Sequence, residues 1–357
     1  MDWESAENEI LLNPRLPVSD REAALIHLPK ANLSGHIWLS TSGSSGYLKW
    51  VALPKSALLV SAAAVNQHFR SDSTDRWLNP LPTFHVGGLG ILARAFLSGA
   101  AVFSTSGWDP FQYAKSLLEH HITLSSLVPA QVFDLVQNKL APPNCLRAII
   151  VGGARLQPEL YKQASELGWP LYPSYGMTEA SSQIATAASA NDPALMVLPH
   201  ISVKTVESGH LQLEGPSLFT AYAHIRNGSL VLDQRPTPFL TEDKGFLQGK
   251  QLTLLGRDTH FIKIGGESVD LLRLERILEE IKLELGFDSD VALFANEDSR
   301  LGHVIHLAAT VPAVQSLIEC YNTRVLPFEK IRQVHYLQSI PRSPLRKLLL
   351  NELKKLV

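Results

Sequence analysis

The sequence predicts an α/β protein in two parts. A large N-terminal domain combines a helix-covered, mainly parallel sheet with a small β-rich subdomain, and a small α+β C-terminal domain follows. Three observations carry this. From residue 54 to about 185, amphipathic helical stretches alternate with short apolar runs, the pattern of a parallel sheet covered by helices. Residues 195–256 change to short β-rich runs broken by Gly and Asn turns, which predicts an antiparallel barrel or sheet. Beyond Gly256-Arg257-Asp258 the chain carries an α+β pattern of its own, as expected of a separate domain. The expected boundaries are 1–256, containing the subdomain 195–256, and 257–357, with a hinge near residue 257.

In order, Lys55–Phe69 reads as a helix, Arg76–Asn79 as a strand, Gly87–Leu97 as a helix and Ala100–Phe103 as a strand. Pro110–His120, Ala130–Asn138 and Gln157–Leu167 read as helices, with strands at Thr123–Val128 and Leu146–Val151 between them. Ile201–Val206 and Ser229–Leu232 are strands of the β-rich part. A long helix is expected over Val269–Leu285, then strands at Asp290–Phe294 and His303–Val311 and two further helical stretches. His303 and His306 lie in the second of these strands and read as structural rather than metal-binding.

Composition narrows the function. With 357 residues, 45% of them apolar, the chain can bury a large core. A net charge of −2 with interspersed signs gives no reason to expect a nucleic acid as partner. The two cysteines, Cys145 and Cys320, are far apart, which argues against a disulfide framework and for a reducing, cytoplasmic setting. The acidic start, Met1-Asp2-Trp3-Glu4, lacks a secretory apolar segment, and no run approaches about 18 apolar residues, so membrane insertion is not expected.

The most informative stretch is Ser40-Thr41-Ser42-Gly43-Ser44-Ser45-Gly46-Tyr47-Leu48-Lys49, directly after the apolar run His36–Leu39. Gly43 and Gly46 let the backbone approach an anion, Thr41, Ser42, Ser44 and Ser45 offer hydroxyl donors, and Lys49 adds positive charge. The spacing differs from a Walker loop, and Ser/Gly runs are more often plain turns. Tyr175-Gly176-Met177-Thr178-Glu179 follows the apolar segment Trp169–Tyr172, where the end of a parallel sheet would place a binding loop. Its aromatic face, hydroxyl and carboxylate can stack a base, bond a phosphate and hold Mg²⁺ together with substrate phosphates; an ordinary turn fits the same residues. Asp243, in Thr241-Glu242-Asp243, could accept from both hydroxyls of a ribose, or simply form a turn. Arg257, Lys263 and Gly265-Gly266 form a basic connection, and Pro341–Lys347 a proline-stiffened basic segment.

Taken together and in this order, the motifs resemble the adenylate-forming superfamily of acyl-CoA synthetases, luciferases and peptide-synthetase adenylation domains, over nearly the whole chain. Thr41–Lys49 resembles the family's phosphate loop, Pro82–Gly88 its aromatic-His motif and Tyr175–Glu179 its adenylate motif. Asp243 matches the ribose-binding aspartate, Arg257 the hinge-side arginine and Lys347 the C-terminal lysine that contacts the reacting carboxylate. Within the superfamily, Ile122–Gln131, Val151–Ala154 and above all Gly168–Gln183 are similar to stretches of the o-succinylbenzoate-CoA ligases of menaquinone biosynthesis.

The resemblance implies an AMP-forming acid-thiol ligase using ATP, Mg²⁺ and coenzyme A on a small carboxylic acid, o-succinylbenzoate foremost. It implies Lys347, His85, Thr178 and Glu179 as catalytic residues, with Glu179 also holding the metal. Gly153, Ala154, Ser174, Tyr175, Gly176, Met177, Asp243 and Arg257 would surround the nucleotide, and Thr41, Ser42, Gly43, Ser44, Ser45, Gly46 and Lys49 the pyrophosphate. Rotation of the C-terminal domain would bring Lys263, Gly265 and Gly266 to the pantetheine tunnel, with His85 gating it. Other acids, a carrier-protein acceptor, or a non-catalytic adenylate-binding relative are the alternatives.

Four features depart from the family. The phosphate loop begins near residue 40, whereas full-length relatives carry a longer N-terminal region; a homodimer or a pared-down fold would make up for the difference. Leu48 and Trp50 replace Pro and Gly around Lys49, Thr259 stands at the charged hinge position unless Asp258 fills it, and Arg346 replaces the glycine before Lys347.

Overall fold

The computed structural model describes residues 1–42, 48–226, 228–257, 261–342 and 348–357, without the side chains of Ser42, Arg226, Arg257 and Asn351. These residues form two compact units, one ending in the strand that closes at Arg257 and the other running from Phe261 onward.

The first unit opens with β1 (Glu9–Leu11), α1 (Val18–His27), β2 (His36–Ser42) and β3 (Leu48–Pro54). Helices and strands then alternate: α2 (Lys55–Phe69), β4 (Arg76–Asn79), α3 (Val86–Ser98), β5 (Ala101–Ser104), α4 (Pro110–Glu119), β6 (Leu124–Leu127), α5 (Pro129–Gln137), β7 (Ala148–Val151), α6 (Pro158–Glu166) and β8 (Leu171–Met177). A run of strands completes it: β9 (Ser182–Ser189), β10 (Asp192–Val197), β11 (Ser202–Thr205), β12 (His210–Glu214), β13 (Ala221–Arg226), β14 (Ser229–Gln234), β15 (Phe239–Gln248) and β16 (Gln251–Arg257). The expected helices and strands between residues 55 and 167 are present, with α2 and β4 at the predicted bounds and the others shifted by a few residues.

The main sheet runs β11-β12-β15-β16-β10-β9-β8-β7-β6-β4-β5. It is parallel from β5 to β8 and antiparallel from β8 outward. Its strand β7 is apolar at four consecutive positions because both faces are covered. In β7, Ile149 and Val151 pack with Leu117, Leu135 and Leu160 from α4, α5 and α6, whereas Ala148 and Ile150 pack with Val65 and Ile91 from α2 and α3. The two-residue period of the strand thus divides one apolar run between two cores.

The β-rich segment is antiparallel but does not close on itself. β11, β12, β15 and β16 extend the main sheet, while β13 and β14 complete a second sheet, β1-β2-β3-β13-β14. The reason lies in β2 and β3, which are apolar on both faces. Ile37, Leu39, Val51 and Leu53 enter one core, and Trp38, Trp50 and Ala52 another. Such central strands need partners on both sides, and β13 supplies one, with Tyr222 opposite Val51.

The second unit contains β17 (Phe261–Ile264), β18 (Glu267–Asp270), α7 (Leu271–Leu285), β19 (Val291–Asp298), β20 (Gly302–Ala309), α8 (Gln315–Arg324), β21 (Ile331–Tyr336) and α9 (Leu350–Leu353). Gly265 and Gly266, with φ of 59° and 91°, make the two-residue turn of the β17–β18 hairpin, where positive φ at both positions favours glycine. The long helix starts two residues later than the sequence predicts. Val269 and Asp270 pair with β17, and the Asp270 carboxylate caps the helix by accepting from the amides of Leu272 (3.0 Å) and Arg273 (3.4 Å). Leu274, Leu278 and Ile281 of α7 pack on Leu293, Ile305 and Leu307 of the β19-β20-β21 sheet. His306 and His335 contact each other at 2.9 Å within this unit, and among the described residues no three His, Cys, Asp or Glu gather to hold a metal. Among the described residues, too, no helix is long and apolar enough to cross a membrane.

Candidate active site

Of the sequence-predicted residues that are described, Gly153, Ala154 and Ser174–Glu179 lie along or just after β7 and β8, Thr41 and Lys49 on β2 and β3, and Asp243 and Arg257 on β15 and β16. The Ser174 hydroxyl donates to the carbonyl of Val151 (3.0 Å), which ties β8 to the loop carrying Gly153 and Ala154. One residue on, Tyr175 is buried and its hydroxyl donates to Oδ2 of Asp243 (2.8 Å), itself buried on β15. The sequence places an aromatic face at position 175; the structure adds that its polar end fixes the expected ribose-binding carboxylate. Arg257 lies opposite Asp243 in the β15–β16 pairing.

Gly176 marks a close approach of backbones. A Cβ there would lie 1.8 Å from the carbonyl oxygen of Ser182, in the bulged β8–β9 pairing. Thr178, Glu179 and Ala180 then form one 3₁₀ turn, followed by Ser181 and Ser182 with φ of 55° and 108°. Non-glycine residues in that region store strain, which persists where surroundings hold it. Here Arg94 contributes: its Nη2 donates to Ser182 Oγ (3.2 Å) from α3, and its guanidinium lies 5.7 Å from the Trp77 ring centroid. Arg94 is 2% exposed, its Nε and Nη1 meet no hydrogen-bond partner among the described residues, and burial pushes its pKa down to about 9.

Glu179 is held at both ends. Its carbonyl accepts from the Phe219 amide (2.8 Å) and its Oε1 from the Tyr222 hydroxyl (3.0 Å). The same Tyr222 ring lies 5.0 Å from the ammonium of Lys49 on β3. Thr41 lies near the end of β2, the strand beside β3. The aromatic-His motif shapes the entry to α3, with His85 at the cap position and the Phe84 and His85 ring centroids 4.7 Å apart. Buried Asn79 braces that loop, donating to the Gly88 carbonyl (3.1 Å) and accepting from the Leu81 amide (3.1 Å).

Lys263, Gly265 and Gly266 belong to the second unit. Gly43, Ser44, Ser45, Gly46, Asp258, Thr259, Arg346 and Lys347 lie outside the described residues, as do the side chains of Ser42 and Arg257. On either side of the basic segment, Arg342 forms a bridge with Leu348 and a two-pronged ion pair with Asp290 (2.7 and 3.1 Å). Sequence reasoning missed Tyr222, Arg94 and Asn79. Only the aromatic at 222 offered a signal, and in a β-rich run it reads as a core residue.

The donor set fits magnesium: one carboxylate, Glu179, with hydroxyls nearby, is what a cation held mainly by substrate phosphates requires.

A family model for AMP-binding enzymes matches residues 36–217, from β2 to just before β13. The chain belongs to the AMP-binding enzyme family. The matched segment includes the Thr41–Lys49, Pro82–Gly88 and Tyr175–Glu179 motifs, while Asp243, Arg257 and Lys347 lie beyond it. Over 334 residues the chain is 28% identical to the 2-succinylbenzoate–CoA ligase of Lactococcus lactis, covering 88% of this chain and 70% of that protein. It is 32% identical over 265 residues to the enzyme of the same name from Salmonella typhimurium, 74% of this chain and 55% of that one. Among solved structures, a double mutant of Bacillus subtilis o-succinylbenzoate CoA synthetase bound to a product analogue superposes with a TM-score of 0.74. Its identity is 25%, over 89% of this chain and 69% of that one.

Proposed function

We propose that this member of the AMP-binding enzyme family is an ATP-dependent acid–CoA ligase that works through an acyl-adenylate, with o-succinylbenzoate as its acid. The observation that supports it most is that one unit holds both the Tyr175–Asp243 pair and, on either side of Tyr222, Glu179 and Lys49, in a chain aligned over most of its length with 2-succinylbenzoate–CoA ligases.

The chemistry follows from the substrate. A carboxylate repels nucleophiles and has no usable leaving group. One of its oxygens attacks the α-phosphorus of ATP, the bond to the bridging oxygen breaks, and pyrophosphate leaves with that electron pair. The CoA thiolate then adds to the carbonyl carbon of the mixed anhydride, and AMP departs. Both steps need positioning and charge neutralisation more than covalent help from the protein. In this reading Asp243 and Arg257 bind the ribose hydroxyls, Tyr175 flanks the adenine, Thr178 bonds the α-phosphate, and Lys49 with the loop from Thr41 holds the departing pyrophosphate. Lys347 neutralises the approaching carboxylate, and the 257–357 domain turns between the half-reactions so that Lys263, Gly265 and Gly266 meet pantetheine, with His85 at the tunnel. Magnesium, held through Glu179, would shield phosphate charge.

The reading also takes the protein as cytoplasmic and homodimeric; light scattering that returns only the 39.3 kDa of one chain would remove the dimer. The central test is acid-dependent exchange of labelled pyrophosphate into ATP across a panel of carboxylic acids. Exchange with o-succinylbenzoate above all others is expected. Exchange only with another acid would overturn the substrate, and none with any acid the activity.

A further inference from the structure

We propose that Tyr222 is a positioning residue that sets the Glu179 carboxylate for magnesium and the Lys49 ammonium for the triphosphate at the same time. The inference rests on the function proposed above and goes beyond it, because Tyr222 lies in none of the motifs that suggested that function.

Glu179 and Lys49 are 130 positions apart and come from different sheets, one from the turn after β8, the other from β3. Tyr222 stands between them on β13. Its hydroxyl donates to Glu179 Oε1 at 3.0 Å, and its ring lies 5.0 Å from Lys49 Nζ, within cation–π range. The tyrosine is itself fixed. Its backbone is opposite Val51 in the β3–β13 pairing, and the neighbouring Thr220 amide donates to the Ala52 carbonyl (2.9 Å). Its ring packs 4.5 Å from that of Phe219, which is 1% exposed and packs edge-on to Phe239 at 5.2 Å. The Phe219 amide also holds the Glu179 carbonyl, so the 219–222 segment grips that residue by backbone and side chain together.

The chemical consequence is a division of the carboxylate. A phenol donates one proton, so it occupies Oε1 and leaves Oε2 for a cation, and it restricts rotation of a flexible side chain before the metal arrives. The ring face meanwhile holds the Lys49 ammonium beside the strand at cation–π range.

Tyr222→Phe separates this from a packing role, because it keeps the ring and removes only the hydroxyl. The test is thermal stabilisation by ATP as magnesium chloride is titrated, with AMP in the absence of magnesium as a control for the fold and the nucleoside site. The magnesium midpoint is expected to rise about tenfold in Tyr222→Phe, the loss of one hydrogen bond to a charged group, with the AMP-induced shift in Tm unchanged. In a Glu179→Gln background the same substitution should change the midpoint no further. Tyr222→Leu, which also removes the ring face, should lose ATP-induced stabilisation relative to AMP beyond the loss in Tyr222→Phe. An unchanged magnesium midpoint in Tyr222→Phe, or an equal fall in the AMP response, would overturn the proposal. A wild-type protein that ATP and magnesium do not stabilise would instead overturn the function on which it rests.

Discussion

Replacing Asp243 with Asn tests the nucleotide site at the point where structure and proposed chemistry meet. Asp243 is 8% exposed and already accepts from Tyr175 through Oδ2 at 2.8 Å. In the proposed reading a ribose hydroxyl also donates to this carboxylate. Asparagine keeps the shape but loses the negative charge and puts an amide donor in place of one carboxylate oxygen, so Tyr175 and the ribose must share a single neutral acceptor. A hydrogen bond to a charged acceptor contributes about 1.5–3 kcal/mol, so AMP should bind about ten- to a hundredfold more weakly. Calorimetric titration with AMP, 2′-deoxy-AMP and 3′-deoxy-AMP measures this. Wild type should lose affinity for at least one deoxy analogue, and Asp243→Asn should no longer tell that analogue from AMP. Asp243→Ala should in addition destabilise the fold by about 1–3 kcal/mol, because it removes the buried acceptor to which the Tyr175 hydroxyl donates. If Asp243→Asn binds AMP like wild type, or still discriminates the deoxy analogue as wild type does, the ribose assignment is wrong.

Other outcomes follow from the same structure. Lys347→Ala should abolish acyl-adenylate formation while leaving thioester formation from supplied acyl-adenylate largely intact; equal loss of both, read by product chromatography, would refute the division of labour. Arg94→Met should leave unfolding free energy within about 1 kcal/mol of wild type, since it removes a buried charge with little compensation, yet weaken AMP binding by releasing the Ser182 turn; urea unfolding beside AMP titration checks both. Burial pushes the pKa of His200 from 6.5 down to about 4. The unfolded chain therefore takes up a proton near pH 6.5 that the folded chain refuses until about pH 4, and stability falls through that window by about 1.4 kcal/mol per pH unit from this group. Relative to wild type, His200→Gln should show a flatter stability profile across this window in urea titrations, and parallel profiles would contradict the assignment.

The alternating half of the fold was legible because each element there declares itself locally. The helical period of Lys55–Phe69 and the four apolar positions of Ala148–Val151 need no distant partner to be recognised. Strand partnership is different. Ser229–Leu232 reads as a strand, but the place of its partner β13 beside β3 depends on Trp50 and Val51 facing opposite cores, a relation between segments some 170 residues apart that no local pattern encodes. The sequence starts helix α7 two residues too early for a related reason. Val269 is apolar and in phase with the helix, and only pairing with Ile262 makes it a strand residue. At the candidate site, the motifs single out Glu179, Asp243 and Lys49, because residue type and neighbours suggest the chemistry proposed for them. Tyr222 meets Glu179 and Lys49, and Arg94 meets Ser182, across the fold, and their own surroundings in sequence are those of ordinary strand and helix core.

The measurement that tests the account most directly is quantification of products from ATP, magnesium, o-succinylbenzoate and CoA. AMP, pyrophosphate and o-succinylbenzoyl-CoA should accumulate in equal amounts, and omission of CoA should leave a single turnover of enzyme-bound o-succinylbenzoyl-AMP. AMP and pyrophosphate without thioester when CoA is present, or ATP left intact while AMP binds, would contradict it.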